Sequence, residues 1–190
     1  MRYLLFAILL WAQPLFAQKN IRIDRGEAKE AYAYLNEIRQ NPNKYRRSLQ
    51  IANVQQVSRH QLVWNKTLAK VAEQRAYDMA KRNYFDHVTP EGIGPNYFIN
   101  QGGYWLNPDW LKKKSLNNFE SIGANHPTAT EAIEAFIIGH GSPGKMHRKH
   151  LLGMDTWNGS LQDIGIGFVR VPQGSAYKTY ICVLIAKHDW

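Results

Sequence analysis

"DIGIGFVRVPQGSAYKTYICVLIAKH", Asp163 to His188, is the stretch whose reading decides the fold. Its first part alternates Ile164, Ile166 and Phe168 with small residues, and its last part, from Tyr180 to Ala186, is apolar on both faces. "PQGS" between them supplies a hairpin turn. A strand with no polar side to show water must be covered above and below, so the rest of the chain has to supply two layers of cover.

Helical periodicity supplies it. "GEAKEAYAYLNEIRQ" sets Ala28, Ala31, Tyr32, Leu35 and Ile38 at helical spacing, and "NPN" after Gln40 closes the segment. Asn65 is an N-cap for "KTLAKVAEQRAYDMAKRNY", whose apolar face is Leu68, Val71, Ala72, Ala76 and Met79. That helix is expected to fray near "NYFDH", leaving His87 just past its end. A third helix starts at Thr128, in capping-box relation to Glu131, and turns Ala132, Ile133, Phe136 and Ile137 inward. "PNYFINQGGY" can hold a short helix stopped by Gly102–Gly103, and "HQLVWN" and "NFESIGAN" read as short extended segments. In the second of these, Glu120 and Ile122 share a face. Helices early, a strong hairpin late and no strand–helix alternation predict an α+β fold with helices on both faces of the sheet.

The ends and the composition bound the rest. "MRYLLFAILLWAQPLFAQ" has the basic, apolar and small-residue order of a secretory signal peptide, with cleavage expected after Ala17. The apolar run is short of the roughly 20 residues that span a bilayer. Residues 1–17 are thus read as the leader and 18–190 as a single secreted domain, extracellular or periplasmic and not transmembrane. The formal charge of +9 falls to +8 when Arg2 leaves with the leader, a balance that favours anionic envelope components. The basic runs Arg46–Arg47 and Lys112–Lys114 lack the interleaved aromatics of a nucleic-acid groove, so nucleic acid is not expected. Cys182 is single, cannot form an internal disulfide, and lies in an apolar run as a buried structural thiol.

Two regions carry candidate chemistry. His87, Glu120 and His147 each sit at the edge of an element, and two imidazoles plus a carboxylate make a divalent-metal set. Separations of 33 and 27 residues leave open whether they meet or are three polar groups each satisfied by backbone. "HGSPGKMHRKHLLG", His140 to Gly153, has three further readings. His147 and His150 share a face if "KMHRKHLL" is helical, with His140 completing a local trio; Lys145 and Arg148 could form an anion site; or the turn simply packs through Leu151 and Leu152. Gly165 and Gly167 are not a dinucleotide loop, since no helix and no third glycine follow.

"LVWNKTLAKVAEQRAYDMAKRNYFDHVTPEG", "GGY", "FESIGAN", "HRKHLL" and "IGIGF" occur in the order of the bacterial CAP domain family, the cysteine-rich secretory protein, antigen 5 and pathogenesis-related 1 superfamily, also called the SCP-like extracellular domain. The resemblance spans roughly residues 30 to 188. It implies a three-layer α-β-α sandwich with a central, largely antiparallel sheet and an open cleft lined by two histidines and two acids. On this chain His87 and His147 stand in the histidine positions and Glu120 in that of the first acid. Gly139 and His140 occupy the place of the second acid, and His150 replaces a usual asparagine. With one carboxylate lost and nitrogen ligands gained, a metal here is expected on His87 and His147, zinc before calcium or magnesium. Arg148 is expected to tie the turn down, while His140 and His150 stay open between cleft lining and solvated or capping roles.

Similar proteins bind sterols, fatty acids, metals or other proteins. The resemblance therefore implies a secreted binding module whose cleft takes a metal, or a small hydrophobic or anionic ligand such as a lipid or envelope component. A metal-assisted hydrolase with Glu120 as general base is the alternative reading, and a purely structural extracellular domain the second.

Overall fold

The computed structural model describes residues 20–139 and 141–188. In chain order these form β1 (Arg22–Ile23), α1 (Arg25–Gln40), α2 (Pro42–Tyr45), β2 (Val63–Trp64), α3 (Lys66–Arg82), α4 (Pro95–Gln101), β3 (Glu120–Ala124), α5 (Ala129–Ile138), α6 (Met146–Leu152), α7 (Thr156–Gly159), β4 (Asp163–Arg170) and β5 (Thr179–Ala186). The proposed leader and His140 lie outside the described residues.

The helix signals act as read. Asn65 Oδ1 accepts from the amides of Thr67 (2.9 Å) and Leu68 (3.1 Å) to open α3, and Thr128 Oγ1 accepts from Glu131 N (3.1 Å) to open α5. α3 stops at Arg82, two residues before the end of the predicted segment, because Asn83 turns left-handed (φ 59°). After α1, Pro42 starts one further short turn, as a proline at a first helical position can. The β4–β5 connection is longer than "PQGS" alone: Val171 N donates to Lys178 O (2.7 Å) to close it.

β4 and β5 pair antiparallel, with Ile166 opposite Val183, and β5 pairs antiparallel with β3, with Glu120 opposite Leu184. β1 runs antiparallel along one end of β4 and β2 parallel along the other. The strand order β1-β4-β5-β3 makes the sheet open and mostly antiparallel, with β3 at its edge.

Glycines set one layer spacing. A Cβ on Gly165 would lie 2.1 Å from Ala69 N, and one on Gly167 2.3 Å from the Ala72 carbonyl carbon. Here α3 rests directly on the backbone of β4, and only glycine permits it. The alternate residues Ile164, Ile166 and Phe168 are buried on the other face, where α1 packs along β4 and α5 joins α1 to α6. Every residue of β5 is buried, as a strand sandwiched between helices must be. The result is the three-layer α-β-α arrangement. The inward stripe of α1, Ala28, Ala31, Leu35 and Ile38, also carries Arg39, which is 0% exposed.

Candidate functional site

The site forms around the edge strand β3, whose successive residues point to opposite faces of the sheet. Asn117 starts the strand: its Oδ1 accepts from Phe119 N (3.2 Å) and Glu120 N (2.9 Å), and its Nδ2 donates to Glu120 O (3.3 Å). Glu120 then faces the α3 layer and Ser121 the α6 layer, and each meets a histidine.

On the α3 side, Arg75 organises the geometry. Its Nε donates to Glu120 Oε2 (3.0 Å), its Nη1 to Tyr84 Oη (2.9 Å), and its Nη2 to the carbonyls of His87 (2.9 Å) and Asp86 (3.3 Å). The guanidinium thereby ties α3, the segment after it and β3 together. His87 Nδ1 lies 3.0 Å from Glu120 Oε1, and Cys182 Sγ donates to Oε2 (3.2 Å). The Glu120 side chain is 0% exposed. Burial pushes its pKa up, but the His87 hydrogen bond and the Arg75 charge outweigh that and hold it below the usual carboxylate range. An ionised carboxylate beside Nδ1 accepts that proton, which leaves Nε2 of His87 as the uncommitted ring nitrogen. Burial, then the neighbouring Glu120 charge, drives the Cys182 thiol well above its ordinary pKa, so it is a structural thiol and not a nucleophile.

On the other side α6 is helical, so His147 and His150 do lie one turn apart. Arg148 donates from Nε to Ile137 O and from Nη2 to Ile138 O (2.9 Å), capping the end of α5 and tying the turn down. That use commits two of its three guanidinium nitrogens to α5 and not to the anion site considered with Lys145. Leu151 and Leu152 are fully buried, anchoring the turn. His150 turns inward, is buried, and its Nδ1 meets Ser121 Oγ (2.8 Å). Burial pulls its pKa down to about 4, so the ring is neutral at physiological pH. His147 is half-buried, its ring edge-on to Phe136 with centroids 4.8 Å apart. Burial, followed by the His87 charge, lowers its pKa.

Between these walls lies a hollow of about 290 Å³ lined by His87, Ser121, His147, His150, Trp157 and Asn158, among others. The structure therefore brings His87, Glu120, His147 and His150 to one place. The family-implied metal meets an incomplete donor set. Zinc takes three or four ligands, the Glu120 carboxylate is covered and ion-paired, and no group of three His, Cys, Asp or Glu among the described residues is placed to hold an ion. The imidazoles of His87 and His147 are the more open donors of the hollow, while that of His150 is buried with its Nδ1 on Ser121.

The family model described as the cysteine-rich secretory protein family (CAP) matches residues 32–185. The chain belongs to this family. Among solved structures, this CAP chain is similar to an extracellular protein containing an SCP domain from Bacillus anthracis str. Ames, at 21% identity and a TM-score of 0.52, covering 86% of this chain and 41% of that one. It therefore spans less than half the length of that protein. It is also similar to an outer surface protein from Borrelia burgdorferi, at 16% identity and a TM-score of 0.58, covering 89% of this chain and 98% of that one. Among curated proteins none matches. Both structural neighbours are extracellular or outer-surface proteins. Among the described residues of this CAP chain no helix is long and apolar enough to cross a membrane.

Sequence reasoning missed Arg75, Ser121 and Trp157. Arg75 had a signal: it falls on the inward stripe of α3, three residues after Ala72 and four before Met79, where a cation must find a partner.

Proposed function

We propose that this CAP protein is an extracellular binding protein whose working surface is the hollow at the edge of β3, engaging a small ligand through the imidazoles of His87 and His147. The observation that carries the reading is the chain Arg75–Glu120–His87, whose first two members are buried and which orients one ring and leaves its Nε2 for a ligand. The leader-like N-terminus and the extracellular neighbours support the compartment, with residues 18–190 as one secreted domain. The positive net charge supports a ligand drawn from an anionic envelope.

A divalent metal, zinc before calcium or magnesium, is the second reading. It is favoured by the same chain: a buried carboxylate on the far nitrogen is the usual support of a metal-ligating histidine. His87 and His147 would hold the ion, and a bound ion would supply a Lewis-acidic centre. Calorimetric titration of the chelator-stripped protein with zinc tests it. Heat in the parent that is lost in His147→Ala is expected; no heat, or equal heat in the variant, ends the metal reading. For the wider reading, ring nitrogen resonances of His87 and His147 are followed during titration with small envelope-derived ligands. Shifts confined to residues outside the hollow would overturn it.

A further inference from the structure

The buried side-chain polar atoms that lack a hydrogen-bond partner among the described residues are Arg39 Nη1 and Nη2, Ser58 Oγ and His150 Nε2. The Arg39 and Ser58 atoms lie together, while the His150 ring meets the Ile185 backbone. Arg39 Nε donates to Ser58 O (3.3 Å). A Cβ built on Gly153 would lie 2.8 Å from Ser58 Cβ, 3.1 Å from Arg39 Nη2 and 3.3 Å from the Asn158 carbonyl oxygen, so Arg39 and Ser58 converge where the chain leaves α6. His150, on that same helix, feels the Arg39 charge.

Arg39 is the anomaly at the centre. It is 0% exposed, and among the described residues no carboxylate acts on it: burial alone pulls its pKa down, to about 10, which still leaves it charged at neutral pH. The other buried arginines among the described residues are answered. Arg75 has Glu120, and Arg148 has two helix-terminal carbonyls. An ionised group out of water without a counter-charge is strongly unfavourable, so such groups are paired or hold an ion. Arg39 Nη1 and Nη2 are donors only, and the Ser58 hydroxyl can turn its proton the same way. A set of converging donors with one full positive charge, and no carboxylate beside it among the described residues, is complementary to a small anion.

We infer that Arg39, with the Ser58 hydroxyl, holds a buried monovalent anion of halide size between α1 and the end of α6. The surroundings favour a small monovalent ion: Arg39 is fully buried, Gly153, Ser58 and the Asn158 carbonyl stand close to its Nη2, and one guanidinium balances one negative charge. The anion joins three separate parts of the chain, α1, the residue-58 loop and the α6 terminus. It thereby braces from behind the helix that carries His147.

The test compares unfolding of the full chain in sodium chloride and sodium gluconate at equal ionic strength. With a site, each tenfold rise in chloride above its dissociation constant raises the folding equilibrium constant about tenfold, and gluconate does not. Arg39→Gln removes the chloride dependence. Coincident chloride and gluconate curves in the parent overturn the inference, as does a chloride effect that persists undiminished in Arg39→Gln. Should that variant fail to fold, crystals of the parent grown in bromide decide. An anomalous peak within hydrogen-bonding distance of Arg39 Nη1 or Nη2 supports the site, and an ordered water there without anomalous signal overturns it.

Discussion

His150 makes the stability of this protein depend on pH over a window set by one ring. In the unfolded chain its imidazole titrates near its ordinary value of 6.5; in the fold, burial brings it to about 4. Between those values the unfolded state binds a proton that the folded state refuses. Stability is therefore fully present above pH 6.5 and falls as pH drops toward 4, at about 1.4 kcal/mol per unit. Across the window the loss is about 3 kcal/mol, undiscounted because the side chain is buried. The charged and titratable groups that bear on the ring are Arg39 from α1, His147 one turn away and His87 from across the hollow, all of which disfavour its protonation. His150→Asn keeps a partner for Ser121 Oγ and cannot titrate. Urea unfolding of parent and variant from about pH 7 to about pH 4, at fixed chloride, isolates the ring from every other group. The stability advantage of the parent over the variant should shrink by about 3 kcal/mol as pH falls through the window. Parallel curves would show that His150 does not titrate as its burial requires.

Other substitutions probe the frame of the site. Arg75→Met strands the Glu120 carboxylate inside the fold and should cost about 3–5 kcal/mol in chemical denaturation, because removing one partner of a buried pair leaves an uncompensated charge. Arg75→Lys should recover little of it, since an ammonium cannot reach Glu120, Tyr84 and the His87 carbonyl at once. Gly165→Ala places a methyl 2.1 Å from Ala69 N and must lift α3 off β4, with an expected loss of at least about 3 kcal/mol read from the melting curve. Cys182 should resist alkylation by iodoacetamide at about pH 8 until the protein unfolds, and rapid labelling of the native chain would contradict its burial beneath Glu120.

Much of the fold was legible because its signals are local or periodic. The Asn65 and Thr128 caps, the inward stripes of α1, α3 and α5, and the two-sided apolar run of β5 each act through neighbouring residues, and each appears where the pattern placed it. The site was less legible because it is made of distant parts. Spacing alone left open whether His87, Glu120 and His147 meet; family resemblance joined them, and the strand order explains the junction by placing β3 at the open edge. What escaped both readings were Arg75 and Arg39, cations lying on otherwise apolar helix stripes. A charge at such a position reads as a flaw in the periodicity until its partner is known, and that partner lies far away in the chain or outside it. His150 was likewise undecided until α6 aimed it at Ser121.

The absence of side chains between α3 and the backbone at Gly165 and Gly167 has a mechanical result. Two elements in direct main-chain contact cannot slide or tilt without collision, so α3, whose Arg75 holds the His87 carbonyl, is seated on the sheet. The opposite wall of the hollow is flanked by glycines of left-handed conformation, Gly141 and Gly144 before α6 and Gly153 after it. Both histidines still sit on anchored elements, His87 through the Arg75 bond to its carbonyl and His147 through Arg148 and the buried Leu151 and Leu152.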